Sequence, residues 1–310
     1  MSLFLEYIPT AFSQVVILAV LIAVGFAADK SGIYTEKTAR ATNNLLFYII
    51  TPAVIVHSFL NVEFTVQNAK GFLLAALIAA VFHTVLSLVV PLLYRKADDA
   101  AVFRFGTMYG NVGYMGLPLA QAVAGDMGVF YCSAAVAVFN IFAFTHGVRL
   151  MRRESGPMPW KKLILNPGAI GILIGLPLFL LNVTLPEVIA APVNYIGSLN
   201  TPMAMMMLGT YLANTDLVDM FKRKENYLAA CLKLLVWPLT SITALYLLGV
   251  RGELLLASAV FLAAPTATNT VMFSAKYGHN AGTASKLCGF TTMLAIITMP
   301  VCMALAKALG

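Results

Sequence analysis

Apolar runs of about twenty residues, separated by short polar or charged stretches, recur along the whole chain. At a rise of about 1.5 Å per residue, each run is about long enough to cross the hydrocarbon core of a bilayer. The pattern predicts ten helical spans, near 11–28, 41–60, 71–94, 104–125, 128–149, 166–182, 193–213, 227–249, 252–276 and 284–309. Composition agrees: 60% of the 310 residues are hydrophobic and 11% are charged, where a soluble domain carries roughly a quarter charged residues. The expectation is an all-α polytopic protein with the lipid bilayer as its solvent. With no basic n-region and no small-residue cleavage site, the first span is expected to act as its own insertion signal. Cys132, Cys231, Cys288 and Cys302 all fall in apolar spans without metal-ligand spacing, so they read as small apolar residues.

Charge sorts the loops into two sides. Lys30, Lys37 and Arg40 follow the first span, and Arg95, Lys96 and Arg104 the third. Arg149, Arg152, Arg153, Lys161 and Lys162 follow the fifth, Lys222, Arg223 and Lys224 the seventh, and Lys276 and Lys286 flank the turn after the ninth. That is 16 of 20 basic residues on one side, against Lys70, Arg251 and Lys307 on the other. The positive-inside rule then makes the basic side cytoplasmic and puts both termini outside the cytoplasm. The net charge of +7 is therefore explained without a nucleic-acid partner.

The loop "RRESGPMPWKK" (152–162) divides the spans five and five. Five is odd, so a repeat of the first half in the second must be inverted in the membrane. Residues 1–151 are expected to form the first repeat, 152–163 a cytoplasmic linker, and 164–310 the second. A shift of 150 places "NLLFYIITP" (44–52) on "NYIGSLNTP" (194–202) and His83 on Lys233, and a shift of 153 places Gly125 on Gly278. Inverted repeats with interrupted helices in corresponding positions are the signature of secondary transporters.

Two spans carry such interruptions. The fourth contains "YGNVGYMGLPLAQAVAG" (109–125), with Gly110, Gly113, Gly116 and Pro118 close together. The ninth contains "AAPTATNT" (263–270), where Pro265 is followed by Thr266, Thr268, Asn269 and Thr270. Proline lacks an N–H and clashes with the preceding turn, and glycine lowers the cost of non-helical backbone. At membrane depth such backbone is tolerated only inside protein or along a wet cavity. A break also starts a second half-helix, whose free N–H groups carry roughly half a positive charge and attract an anion. Asn111, Thr266, Thr268, Asn269 and Thr270 would add neutral hydrogen bonds. The plainer alternative is a kink whose hydroxyls bond back to their own carbonyls; two breaks five spans apart favour a cavity.

Other polar residues are candidates in support. Asn140 lies mid-span in "AVFNIFAF" (137–144) and could reach the breaks or make an interhelical hydrogen bond. Lys233 lies roughly 9 Å along the eighth span. It would either snorkel to the headgroups or, with His83, hold the cavity positive or pass a coupling proton. His57 and His146 are expected to be structural, Asn44 and Asn194 to tie helices together, and "MAMMML" (203–208) to serve helix packing or a lipid-facing or dimer surface. No Asp or Glu lies well inside a span. No HExxH, GxSxG or Walker loop occurs either, so neither an enzyme nor an ATP-driven pump is expected.

"NVGYMGLP" (111–118), "APTATNT" (264–270) and "NNLLFYIITPAVI" (43–55) resemble the auxin efflux carrier family, and the resemblance runs from the first span to the last. It implies a bile-acid/sodium symporter-like fold of two inverted five-helix repeats, with spans 4 and 9 broken and crossing. It also implies a scaffold of spans 1, 2, 6 and 7 that often forms a homodimer, and a mobile transport domain of spans 3–5 and 8–10. Family members move organic anions, auxin in plants and malate or malonate in several bacteria. The short loop after span 5 is similar to the bacterial type, which implies the inner membrane.

The resulting expectation is an elevator-type secondary carrier of a small organic anion, malonate-like or malate-like. Its substrate site would hold Asn111, Gly113, Tyr114, Pro118, Asn140, Pro265, Thr266, Thr268, Asn269 and Thr270, with His83 and Lys233 in support. No resident cofactor is expected, and coupling to protons, to sodium or to neither stays open. An aromatic carboxylate such as auxin is the second substrate reading. An intramembrane enzyme or sensor and a channel are the readings of other classes.

Overall fold

The computed structural model describes residues 2–94, 97–152, 167–214 and 218–310. The linker expected at 152–163 lies outside the described residues except for Arg152. Helices α1 (Ser2–Lys30), α2 (Glu36–Asn61) and α3 (Val66–Leu93) come first. A short α4 (Ala100–Met108) follows, and helical backbone resumes over Val112–Met151. Gly125, at φ 56° and ψ −146°, divides that stretch into α5 (112–124) and α6 (126–151). Then come α7 (Pro167–Leu180), α8 (Glu187–Ser198), α9 (Asn200–Ala213), α10 (Lys224–Leu247), α11 (Gly252–Leu262), α12 (Asn269–Lys276) and α13 (Ala281–Leu309). Among the described residues, five stretches are long and apolar enough to cross a membrane: Glu36–Asn61, Val66–Leu93, Val112–Met151, Lys224–Leu247 and Ala281–Leu309.

Local sequence explains the caps and bulges. Thr65 accepts from the Asn68 amide at the start of α3, and Asn280 from the Thr283 amide at the start of α13, as N-cap residues do. Wide π turns cover Leu46–Ile50, Val112–Gly116 and Leu232–Val236. Each is followed by an X-Pro pair: Thr51-Pro52, Leu117-Pro118 and Trp237-Pro238. A proline removes one amide and crowds the carbonyl four residues back, and widening the preceding turn relieves both. Pro118 accordingly sits inside a helix, and the interruption of the fourth span is confined to Tyr109, Gly110 and Asn111. The seventh span is divided as well, into α8 and α9 at Leu199.

Helices α1 and α9 cross where both are glycine. A side chain on Gly209 would collide with the Ile22 carbonyl and lie 2.6 Å from the Phe26 nitrogen, and one on Gly25 would collide with the backbone of Met206. Small residues at such crossings let backbones approach closely. Beside them Asn214 donates to Asp29 (2.9 Å) and Lys30 to the Ala213 carbonyl (2.9 Å). Met205 and Met207 are buried, which assigns part of the methionine cluster to packing. The second half of α2 packs on α7 and α8, with Gly171 against Pro52 and Gly175 against Phe59. Helix α3 packs on α6, and α11 on the α5–α6 pair. Asn44 and Asn194 are both exposed.

At the α5–α6 turn, Asp126 accepts from Asn61 (2.9 Å) and Gln121 (3.5 Å) and faces His57 of α2 at 3.5 Å. His57 thus belongs to a partly exposed polar cluster at the far end of α2.

Candidate functional site

The two interrupted segments meet. Gly110 and Thr266 form an antiparallel bridge, in which the Asn111 amide donates to the Pro265 carbonyl (2.7 Å) and the Ala267 amide to the Tyr109 carbonyl (2.9 Å). The backbone groups freed by breaking two helices are thereby paired with each other, as membrane burial requires. Pro265 has no amide to satisfy, and only its carbonyl is needed. Space at Gly110 is tight: a side chain there would lie 3.0 Å from Lys233 Nζ and 3.1 Å from the Ala264 carbonyl.

A ring of side chains fixes the crossing. The Thr266 hydroxyl donates to the Gly106 carbonyl (2.9 Å), and its amide donates to Thr291 Oγ1 (3.2 Å). Tyr109 donates to the Phe142 carbonyl (3.1 Å), leaving its hydroxyl oxygen to accept from His146 Nδ1 (2.9 Å). His83 donates from Nδ1 to the Ala79 carbonyl (2.8 Å) and stacks on Tyr109, with ring centroids 5.7 Å apart.

Lys233 is 1% exposed, and its Nζ donates to the Met108 carbonyl at 3.4 Å. The alternative of snorkelling to the headgroups is thus overturned: the side-chain nitrogen is buried at the C-terminal end of α4. His83 and Lys233, matched by the 150-residue shift, therefore both converge on Met108–Tyr109.

A cleft opens beside the crossing, with about 450 Å³ of empty space counting what is continuous with solvent. The first break contributes Gly110 to Tyr114 and the second Ala267, Thr268 and Asn269. Helix α6 adds Val136, Phe139 and Asn140, α2 adds Phe47 and Thr51, and α7 adds Gly168. The first amides of α5 (Gly113, Tyr114) and of α12 (Asn269) have no acceptor within their own helices, and all three residues line the cleft. Two helix starts therefore face one space, each with roughly half a positive charge.

Six of the ten residues expected in the site line this cleft: Asn111, Gly113, Tyr114, Asn140, Thr268 and Asn269. Pro265 and Thr266 instead build the crossing behind it. Thr270 is fully buried, and Pro118 is buried within α5, with its carbonyl accepting from Thr201 at 3.5 Å. Phe47, Thr51, Val136, Phe139 and Gly168 line the cleft without having been expected. Val136 and Phe139 lie four and one residues before Asn140, so the helical face carrying Asn140 also carries Val136. Thr51 and Phe47 precede Pro52 by one and five positions. Gly168 carries no signal in the sequence. Among the described residues no group of three His, Cys, Asp or Glu side chains could hold a metal ion.

Known proteins place the chain in a class. A family described as "Membrane transport protein" matches residues 10–158 and 151–303. An uncharacterized transporter of Methanocaldococcus jannaschii is 25% identical over 252 residues, covering 77% of this chain and 80% of the relative. A putative malonate transporter of Rhizobium meliloti is 24% identical over 297 residues, covering 90% of each chain. Auxin efflux carrier component 1 of Arabidopsis thaliana is 28% identical over 124 residues, which are 39% of this chain and 20% of that protein. Family and relatives are transporters and not enzymes. With the matched stretches together running from residue 10 to residue 303, the chain belongs to the membrane transport protein family that includes the auxin efflux carriers.

Proposed function

We propose that this transporter is a secondary carrier of a small organic anion, a carboxylate bound in the cleft beside the crossing. The observation that carries the reading is the convergence of two helix starts and the neutral amides of Asn111, Asn140 and Asn269 on one cleft. Fixed N–H donors at helix ends stabilise negative charge. The name of the Rhizobium relative supports a malonate-like or malate-like substrate. The rings of Phe47, Tyr114 and Phe139 in the cleft wall support an aromatic carboxylate as the second reading.

In this reading the chain is two inverted repeats of five spans, 1–151 and 164–310. The mobile body is α3–α6 with α10–α13, which carries both breaks, and it moves elevator-fashion against a scaffold of α1, α2 and α7–α9. The close packing of α1 on α9 and of α2 on α7 and α8 supports such a scaffold. Phe47, Thr51 and Gly168 would then be the scaffold's face of the cleft, left behind when the mobile body shifts. The protein sits in a bacterial inner membrane with both termini outside the cytoplasm, and its scaffold is the surface for a homodimer. Coupling runs to protons, to sodium or to neither.

Reconstituted vesicles test this. Vesicles preloaded with unlabelled carboxylate should take up labelled malonate or phenylacetate in a saturable, counterflow-stimulated manner, and proton and sodium gradients imposed separately identify the coupling. Uptake no greater than in protein-free vesicles for every carboxylate would overturn the proposal. Conductance that does not saturate would make the protein a channel.

A further inference from the structure

Along the last turns of α2, apolar and polar contacts to the α5–α6 pair alternate. Phe59 packs on Phe130 of α6, which also meets Phe179 of α7, with ring centroids 4.8 and 4.9 Å apart. Such contact is non-directional, so the rings can slide past one another. On either side of Phe59 in the chain, His57 and Asn61 face a carboxylate instead. One oxygen of Asp126 accepts from Asn61 Nδ2 at 2.9 Å; the other lies 3.5 Å from His57 Nδ1 and accepts from Gln121 at 3.5 Å. His57 and Asn61, four residues apart, share one face of α2. Bonds to an ionised carboxylate are directional and stronger than neutral ones, and they have to be given up if α6 moves along α2. The turn that the repeat pairs with this one is tied differently. The shift of 153 that places Gly125 on Gly278 places Asp126 on His279. Both glycines have positive φ, 56° and 73°, but His279 Nε2 donates to the Met151 carbonyl of α6 at 2.7 Å, a contact within the proposed mobile body.

From this asymmetry we infer that Asp126 is a latch: its carboxylate, gripped by His57 and Asn61, holds the mobile body to the scaffold at one end of the stroke and is released in each transport cycle. The inference rests on the elevator reading and adds the contact that sets its resting pose. Alternating access moves one bundle against the other between two poses, and a bond present in one pose only biases the equilibrium toward that pose. The side chains of His57 and Asp126 are 22% and 29% exposed. Water can therefore take over the bonds of the carboxylate when the latch opens. Separating a fully buried pair would leave an uncompensated charge at strong cost; a partly exposed pair holds the pose and still lets it go.

Distances between two spin labels, measured by pulsed electron resonance on the full-length chain in lipid nanodiscs, test this. The labels go on Glu187→Cys of α8, in the scaffold, and Glu253→Cys of α11, in the mobile body, both exposed. Cys231, the exposed native thiol, is changed to serine, and the three buried cysteines stay. One distance should dominate with the latch intact. Asp126→Ala and Asn61→Ala are each expected to raise the share of a second distance relative to the first about three- to tenfold, a charged hydrogen bond being discounted here for its partial exposure. The double variant should shift no further than Asp126→Ala alone, because both changes remove the same bond. Asp126→Glu keeps the charge and should restore most of the native ratio, which separates loss of the latch from loss of the fold. Unchanged populations in both alanine variants, in a chain whose distances still respond to malonate or phenylacetate, would overturn the latch and leave the elevator reading standing. Shifts that simply add in the double variant would overturn the pairing of Asn61 with Asp126. A single distance in every variant and condition, in protein that reconstituted vesicles show to be active, would overturn the elevator reading and the latch with it.

Discussion

Asn111→Ala and Asn269→Ala are each expected to weaken carboxylate binding by about 10- to 100-fold and to abolish uptake at low substrate concentration, while the purified variants remain folded. Both residues line the cleft, one at the end of each break. A hydrogen bond to a charged group contributes about 1.5–3 kcal/mol, and each 1.4 kcal/mol is tenfold in affinity. The fold should tolerate the changes, because the contact of Asn111 that holds the crossing is made by its backbone amide to the Pro265 carbonyl, and alanine keeps that amide. Titration calorimetry and counterflow uptake, with a melting curve for each variant, check the prediction. Undiminished transport in both variants would remove the cleft from the mechanism.

Gly209→Leu is expected to remove most of the folded protein. The α1–α9 crossing leaves no room for a side chain at Gly209, where even a methyl group would strike the Ile22 carbonyl and crowd the Phe26 nitrogen. The neighbouring atoms are backbone, so relief requires the two helices to separate. Separation would loosen the Asn214–Asp29 and Lys30–Ala213 contacts just beyond the crossing. Overpacking commonly costs about 1–3 kcal/mol where side chains can adjust, and more is expected where the obstruction is main chain on both sides. Gly209→Ala should show the same effect in milder form, as a lowered melting temperature with some monodisperse protein surviving. Size-exclusion yield and a thermal melt read both variants. A leucine variant melting within a degree or two of the unmodified chain would contradict this account of the crossing.

These two sites differ in how far the sequence discloses them. The breaks were legible because proline and glycine at membrane depth have few uses, and Pro265 sits where α11 ends. Their extent was not. Pro118 looks like part of the first break, yet it lies within the helical backbone of α5, where its missing amide has to be accommodated. A π turn ahead of it absorbs the crowding.

The polar residues of the cleft other than Thr51 could be named because Asn and Thr stand out in an apolar span. Phe47, Val136 and Phe139 could not, since in a chain that is 60% hydrophobic an aromatic or β-branched residue facing a cavity reads the same as one facing lipid. Only the fold distinguishes them. Lys233 shows the same limit from the other direction. Its position permitted snorkelling or an internal role, and the deciding fact, that the Met108 carbonyl lies within its reach, depends on a contact across 125 residues of chain. Gly209 was equally mute, because a single glycine in a methionine-rich helix carries no sign of the helix that will cross it.

Transport by this mechanism requires an anion resting against the crossing of two broken helices. A crystal structure grown with a bromine-labelled carboxylate that the vesicles take up tests it most directly, through the anomalous signal of the bromine. The predicted result is one strong peak inside the cleft, between the Phe47 and Phe139 walls, with the carboxylate turned toward Asn111 and Asn269. A peak elsewhere on the protein, with the cleft empty in a carrier shown to be active, would contradict it.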